Sequence, residues 1–168
     1  KSLKKWVKKK KSWAMTDFAV MTFYGEGAPQ NEPKAIKMLE KAIALGDVNA
    51  MANLGGIFFG KIHGGEELEP EQNQQMVELL TRAASLNHPY ALTTLGSMYG
   101  NGVVVDQCTD KAIEYMSRAV ELNNQDAIKN LEIMKRQDET TKTTPKPKTN
   151  NHPTTTTKQC AQCHTPLD

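Results

Sequence analysis

Cys160, Cys163 and His164, in the string QCAQCHTP near the end of the chain, have the spacing most suited to chemistry. A Cys-x-x-Cys-His arrangement suits half of a zinc site, covalent haem attachment, or a thiol–disulfide pair. Haem attachment would need a cytochrome context and an export signal, and a thioredoxin-type pair would need a βαβ unit. Neither accompanies the motif. Zinc takes four ligands, and two cysteines at this spacing are a common first half. His164 lies too close to Cys163 to serve easily with both thiolates, so the remaining ligands are expected beyond Asp168. Zinc is thus the expected cofactor, held at Cys160 and Cys163 only once the rest of the site is present.

Other reactive side chains give no catalytic set. His63 stands beside Gly64 and Gly65 and the acidic Glu66, Glu67, Glu69 and Glu71, which reads as a solvated loop. His88 precedes Pro89 at a helix start, where a capping role is expected. Cys108 lies between Asp106 and Asp110, with no basic neighbour to activate it as a nucleophile. Gly25, Gly27, Gly100 and Gly102 join helix to helix rather than strand to helix, so they are repeat turns and not phosphate loops. No catalytic residue is assigned, and the chain is expected not to be an enzyme.

The elements that must position these residues are thinly apolar. A mean hydropathy of -0.58 suits an architecture with a high ratio of surface to volume. No run approaches the ~18 apolar residues of a membrane span. Residues 12–139 hold 10 Lys and Arg against 18 Asp and Glu, a net of -8, between a lysine-rich start and a lysine-bearing tail. The acidic middle argues against nucleic acid as a partner. Three cysteines, an odd number, do not make a disulfide framework, so an intracellular site, cytoplasmic or nuclear, is expected. The chain opens on Lys1 rather than methionine and reads as an excerpt of a longer protein, which leaves its targeting open.

Self-comparison gives the organisation. A slide of 77 residues lays Ala14–Leu54 over Ala91–Leu131, with Lys34–Ala35–Ile36 matching Lys111–Ala112–Ile113. Anchor alanines at Ala14, Ala50, Ala91 and Ala127 are separated by 36, 41 and 36 residues. The five extra residues of the middle unit are placed in the loop GKIHGGEELEPEQN. Each unit reads as two helices with a glycine-rich turn between them. Ala19, Gly55 and Gly96 recur at one place on the first helices, which predicts a close neighbour there. Gly46, Asn87 and Asn123 keep the same spacing and are expected to end the second helices in the left-handed conformation. Pro33 falls in a first helical turn, and Asp110 is expected to cap the helix beginning at Lys111.

Such pairs cannot bury their apolar faces alone, so they must stack. The expected fold is all-α, a right-handed α-solenoid of helix-turn-helix repeats followed by a disordered linker. Its parts are a basic segment at 1–13, which reads as a truncated preceding helix, and repeats at 14–49, 50–90 and 91–126. A capping helix at 127–136, a Thr/Lys/Pro linker at 137–159 and a truncated zinc-finger start at 160–168 complete the chain.

The residues Ala91, Leu95, Gly96, Tyr99, Gly102, Val103, Lys111, Ala112 and Ala119 follow a pattern that resembles the Sel-one-like repeat, a relative of tetratricopeptide repeats. The resemblance covers residues 14–136. It departs at Phe18, Ala19 and Thr22 in the first copy and at Phe58 in the second. It implies adaptor or scaffold work, with proteins or peptides as partners. A regulatory or activator subunit of an enzyme complex, of the cell-wall synthase or quality-control kind, is the alternative. A second resemblance covers only CAQCHTPLD, which looks like the opening of a MYND-type zinc finger, a module that binds proline-rich peptides. First helices tend to line the concave face of a solenoid. Asp17, Asn53, Thr94 and Asn130 hold equivalent polar positions there and are the expected partner-binding ladder for an extended peptide. The chain is expected to be monomeric.

Overall fold

The computed structural model describes Val7 and residues 11–143 of the chain, with side chains as far as Arg136. Every regular element in this range is an α-helix: α1 (Ser12–Tyr24), α2 (Glu32–Ala44), α3 (Val48–His63), α4 (Pro70–Ser85), α5 (Pro89–Asn101), α6 (Thr109–Glu121) and α7 (Gln125–Thr143). The fold is all-α and of the helical-repeat, solenoid type. α7 runs past residue 137, where the linker was expected to begin. Lys135, Arg136, Gln137 and Glu139 are good helix formers and extend it without needing apolar partners. Most of the basic start, the rest of the linker, and Cys160 and Cys163 lie outside the described residues.

The repeat spacing has a backbone cause that recurs at each joint. Gly46, Asn87 and Asn123 have φ of +80°, +57° and +58° and so reverse the chain after α2, α4 and α6. The next residue then donates back five positions: Asp47 to Ala42, His88 to Ala83 and Asn124 to Ala119, at 3.0–3.1 Å. This is the Schellman ending. The same three residues, Asp47, His88 and Asn124, accept from the backbone N–H groups of Ala50, Ala91 and Ala127. Each therefore closes one helix and caps the next. The anchor alanines are the third residues of their helices, which is why they keep register.

Two expectations are corrected. The five extra residues of the middle unit do not make a loop, since α3 and α4 have 16 residues each where their counterparts have 13. His63 accordingly ends α3, its ring edge-on to Phe59 at 4.5 Å. Pro70 at the first turn and the Glu69–Gln72 capping box start α4 early. Asp110 is not the cap of α6: Cys108 occupies that position, and Asp110 lies in the first turn, where its charge favours the helix N-terminus. The turn from α5 fixes this by a bond from Cys108 N–H to the Tyr99 carbonyl at 2.9 Å.

The chain divides between Thr94 and Leu95, within α5, into two compact units. In the first, α1 packs on α2, α3 on α4, and α3 also meets α1 and α2. Ala14, Ala19, Leu39, Ala42, Leu54 and Leu80 are fully buried there. A Cβ on Gly55 would lie 2.6 Å from Leu80 Cγ, so the recurrent glycine admits a side chain of the partner helix. In the second unit α6 packs on α7, and Leu95, Met98 and Ala119 form the core with Met116. Gly96 repeats the arrangement, with its missing Cβ 2.8 Å from Met116 Cγ. Tyr99 and Tyr115 stack at 5.8 Å, with Lys111 Nζ 5.2 Å from the Tyr99 ring centre.

One backbone position departs from its repeat mate. Gly27 has φ +71°, and the equivalent residue of the later copy is Val104 at φ +63°. A β-branched residue in the left-handed region carries about 1–2 kcal/mol of strain. Val104 is exposed, so replacing it removes little packing. Val104→Gly is expected to raise stability by about 1 kcal/mol, after the entropy cost of glycine. Urea unfolding of the two proteins checks this, and a lower midpoint for Val104→Gly would contradict it.

Candidate partner-binding face

The expected ladder residues all sit three positions after an anchor alanine, and the structure gives them different surroundings. Asp17 is exposed on α1. Asn53 is half-buried on α3 and donates its Nδ2 to the Asn49 carbonyl at 2.8 Å, which leaves its own oxygen as acceptor. Thr94 is 4% exposed, and its hydroxyl donates to the Tyr90 carbonyl at 2.8 Å. Asn130, half-buried on α7, lines a groove.

That groove belongs wholly to the second unit and has a volume of about 380 Å³. Gly96 and Gly100, one helical turn apart on α5, line it together with Met116 and Met134, whose side chains lie 2.8 and 3.3 Å from where a Cβ on each glycine would stand. Ser97 and Asn101, from the same helix, and Asn130 and Ile133, from α7, also line it. Gln107 and Thr109, before and at the start of α6, complete the lining. Gln107 is fixed by its Nε2, which donates to the Gly100 carbonyl at 2.8 Å. None of these ten residues is charged. Sequence reasoning found only Asn130 of this set. Small and polar residues give no hydrophobic signal; the detectable sign was the pairing of Gly96 and Gly100 with Ser97 and Asn101, each one turn apart.

The polar joint of the first unit is built differently. Asp47 Oδ1 accepts from the backbone N–H groups of Asn49 and Ala50, at 3.0 and 3.2 Å. Its Oδ2 accepts from the Thr16 hydroxyl of α1 at 3.1 Å. His88 has Nδ1 3.4 Å from the Ala91 N–H and Nε2 3.0 Å from Asn49 Oδ1. With Nδ1 accepting, the ring proton sits on Nε2 and is donated to Asn49, an arrangement available to the neutral imidazole alone. Burial pushes the His88 pKa below its ordinary value, and the Asp47 carboxylate opposes that shift.

Because the folded state prefers neutral His88, its contribution is complete above the ordinary histidine pKa of about 6.5. It is lost as the pH falls from there through the lower folded value, where the unfolded chain binds the extra proton. His88→Asn keeps a capping oxygen, as Asn124 does, without titrating. The variant is expected to show a shallower loss of urea resistance between neutral and mildly acidic pH; equal slopes would contradict the assignment.

The remaining candidates are structural. Lys61 pairs with Glu32 and Glu66, which ties the end of α3 to the start of α2 and to the following turn. The Glu32 bond holds its pKa above the usual lysine range, with burial opposing and Glu66 adding to the effect. Among the described residues no group of three or more His, Cys, Asp or Glu could hold a metal ion. Of the expected metal ligands, Cys160 and Cys163 lie outside that range, and two thiolates supply half of a tetrahedral set. No helix among the described residues is long and apolar enough to cross a membrane.

The Sel1 repeat family model matches residues 14–47, 48–88 and 89–124. A Sel1 repeat protein from Oxalobacter formigenes superposes with a TM-score of 0.60 at 26% identity, over 77% of this chain and 94% of that one. A protective antigen of uropathogenic Escherichia coli strains, with an SLR fold, gives a TM-score of 0.67 at 23% identity. That match covers 81% of this chain and 28% of the antigen. No curated protein matches the sequence.

Proposed function

The chain belongs to the Sel1 repeat family, whose repeats generally mediate protein–protein interaction, and from that premise we propose that it is a non-enzymatic adaptor gripping extended segments of partner proteins. The observation that carries this reading is the groove of the second unit, whose described lining is uncharged and includes three amide side chains. An amide offers both a donor and an acceptor, which matches the N–H and C=O of a peptide backbone. Asp17 and Asn53 offer polar groups at the equivalent positions of α1 and α3. Thr94, buried with its hydroxyl donated to the Tyr90 carbonyl, drops out of the ladder.

Affinity capture with the tagged chain, followed by mass spectrometry, tests the proposal. Asp17→Ala, Asn53→Ala and Asn130→Ala combined are expected to lose the captured partner while circular dichroism stays helical. Undiminished capture would remove the ladder. An enzyme among the captured proteins, its turnover altered by added chain, would favour the regulatory-subunit alternative.

We further propose Cys160 and Cys163 as the first thiolates of a MYND-type zinc arm, with proline-rich segments among its partners. Alone they should bind zinc far more weakly than the ~10–16 kcal/mol of complete structural sites. Competition with a chromophoric chelator, with Cys160→Ser and Cys163→Ser as controls, checks that they are ligands. A monomer at an intracellular site completes the proposal.

A further inference from the structure

We infer that Asn101 and Gly102 form a site of spontaneous backbone modification, at which the asparagine converts to aspartate and isoaspartate at the end of α5. Asn101 is the only asparagine of the chain that is followed by glycine. It is exposed, and so is Gly102, whose φ is +68°. The repeat itself does not require an asparagine here, since Tyr24 and Gly60 hold the equivalent positions of the earlier copies.

The reaction needs these two residues and water. The Gly102 nitrogen, after loss of its proton, bonds to Cγ of Asn101. The Cγ–Nδ2 bond breaks, and the side-chain nitrogen leaves as ammonia with that proton. A five-membered cyclic imide remains. Water opens it at either carbonyl, giving aspartate or an isoaspartate whose main chain runs through the side-chain carbon. A Cβ on the following residue crowds the attacking nitrogen, and glycine has none. Every other described asparagine precedes a residue with a side chain. Several are also tied: Asn31 and Asn124 accept from the N–H groups of Lys34 and Ala127 at 3.0 Å, and Asn53 donates to the Asn49 carbonyl at 2.8 Å. Asn101 makes no such side-chain bond with the described residues.

The surrounding backbone sets the rate. The carbonyls of Met98, Tyr99 and Gly100 accept from Val103 N–H, Cys108 N–H and Gln107 Nε2, at 3.0, 2.9 and 2.8 Å. While these bonds hold, the last turn keeps the Gly102 nitrogen in place, so ring closure waits for local opening of the helix end. The Gln107 bond alone among the three comes from a side chain, and an exposed one. Conversion then alters the site lastingly. Isoaspartate adds one carbon to the main chain between Met98 and Val103, so the bond that ends α5 loses its register. Either product also places a carboxylate at a helix C-terminus, where the dipole opposes it, and among groove residues that are otherwise uncharged.

Incubation of the full chain at physiological temperature in water enriched in oxygen-18, followed by peptide mapping, tests this. The peptide holding residues 101 and 102 is expected to take up one heavy oxygen and to yield both aspartate and isoaspartate at position 101. Its rate should be at least about tenfold that at Asn53 or Asn124. Gln107→Ala should speed the conversion, and Asn101→Gln should abolish it. The incubated chain should unfold at lower urea than Asn101→Gln incubated alongside it. Circular dichroism confirms that both variants are folded at the start. No uptake at Asn101 in the folded chain, or uptake no faster than at Asn53, would overturn the inference. Aspartate without isoaspartate would overturn the cyclic route, and an unchanged rate in Gln107→Ala would overturn Gln107 as the restraint. These outcomes are independent of the adaptor reading, since none of them requires a partner.

Discussion

Leu80→Ala is expected to destabilise the first unit by about 3–4 kcal/mol, within the range for a buried leucine. Adding Gly55→Ala to it should then recover part of the loss. Leu80 is fully buried, and its Cγ and Cδ2 fall 2.6 and 2.8 Å from where a Cβ on Gly55 would stand. Alone, Gly55→Ala gains about 1 kcal/mol of helix propensity but forces a side chain that cannot escape to solvent, a larger cost. With Leu80 shortened, the new methyl enters the vacated space and the propensity gain remains. The double variant should therefore be about 1 kcal/mol more stable than Leu80→Ala, against a simple sum that predicts it less stable. Urea unfolding of all four proteins decides between them. If the two changes add, Gly55 is not the socket for Leu80.

This socket shows what the residue order reveals and what it conceals. The recurrence of Ala19, Gly55 and Gly96 announces a close approach, and Gly46, Asn87 and Asn123 announce the reversals, because backbone constraints act on single residues. The buried stripe of the second helices is harder to read. Ile36, Val77 and Ile113 look like core by size, yet they are only half-buried, while their smaller or less conspicuous neighbours Ala35, Met76 and Ala112 are buried. Where helices pack closely, an alanine excludes water as completely as an isoleucine, and hydrophobic magnitude misplaces the stripe by one residue. Helix lengthening in the middle unit was hidden for a related reason. Gly60 reads with Gly64 and Gly65 as one turn, yet only the latter two lie beyond α3; Gly60 is inside the helix, where a glycine costs only about 1 kcal/mol, which packing of the flanking Phe58 and the Lys61 ion pairs can offset.

The proposed partner-binding face is legible as a set of equivalent positions but not as a surface. Three joints with one backbone geometry use three side chains, Asp47, His88 and Asn124, for the same cap. Repetition thus preserves the hydrogen bond and not the residue. By the same token, equivalent ladder positions can hold Asp17, Asn53, Thr94 and Asn130, and only local packing decides which side chain is spent internally. Thr94 is spent in this way. Asn130 instead lines a groove shared with residues of α5.

Asp47→Ala is expected to cost about 3 kcal/mol, the sum of a lost helix cap and a charge-assisted hydrogen bond. The carboxylate is 9% exposed and serves three donors: the N–H groups of Asn49 and Ala50 and the hydroxyl of Thr16, itself 2% exposed. Removing it orphans the first turn of α3 and deprives a buried hydroxyl of its partner on the neighbouring helix. Thr16 can still donate to the Ser12 carbonyl at 3.2 Å, which limits its share of the loss. Asp47→Asn retains an oxygen at the cap and is expected to cost about 1 kcal/mol or less, since asparagine caps nearly as well. Thr16→Val isolates the other half of the bond. If the hydroxyl and carboxylate are coupled, Thr16→Val should cost clearly less in the Asp47→Ala background than in the unaltered chain. Equal costs in both backgrounds would show that Asp47 stabilises α3 alone and leaves α1 to be held by apolar packing.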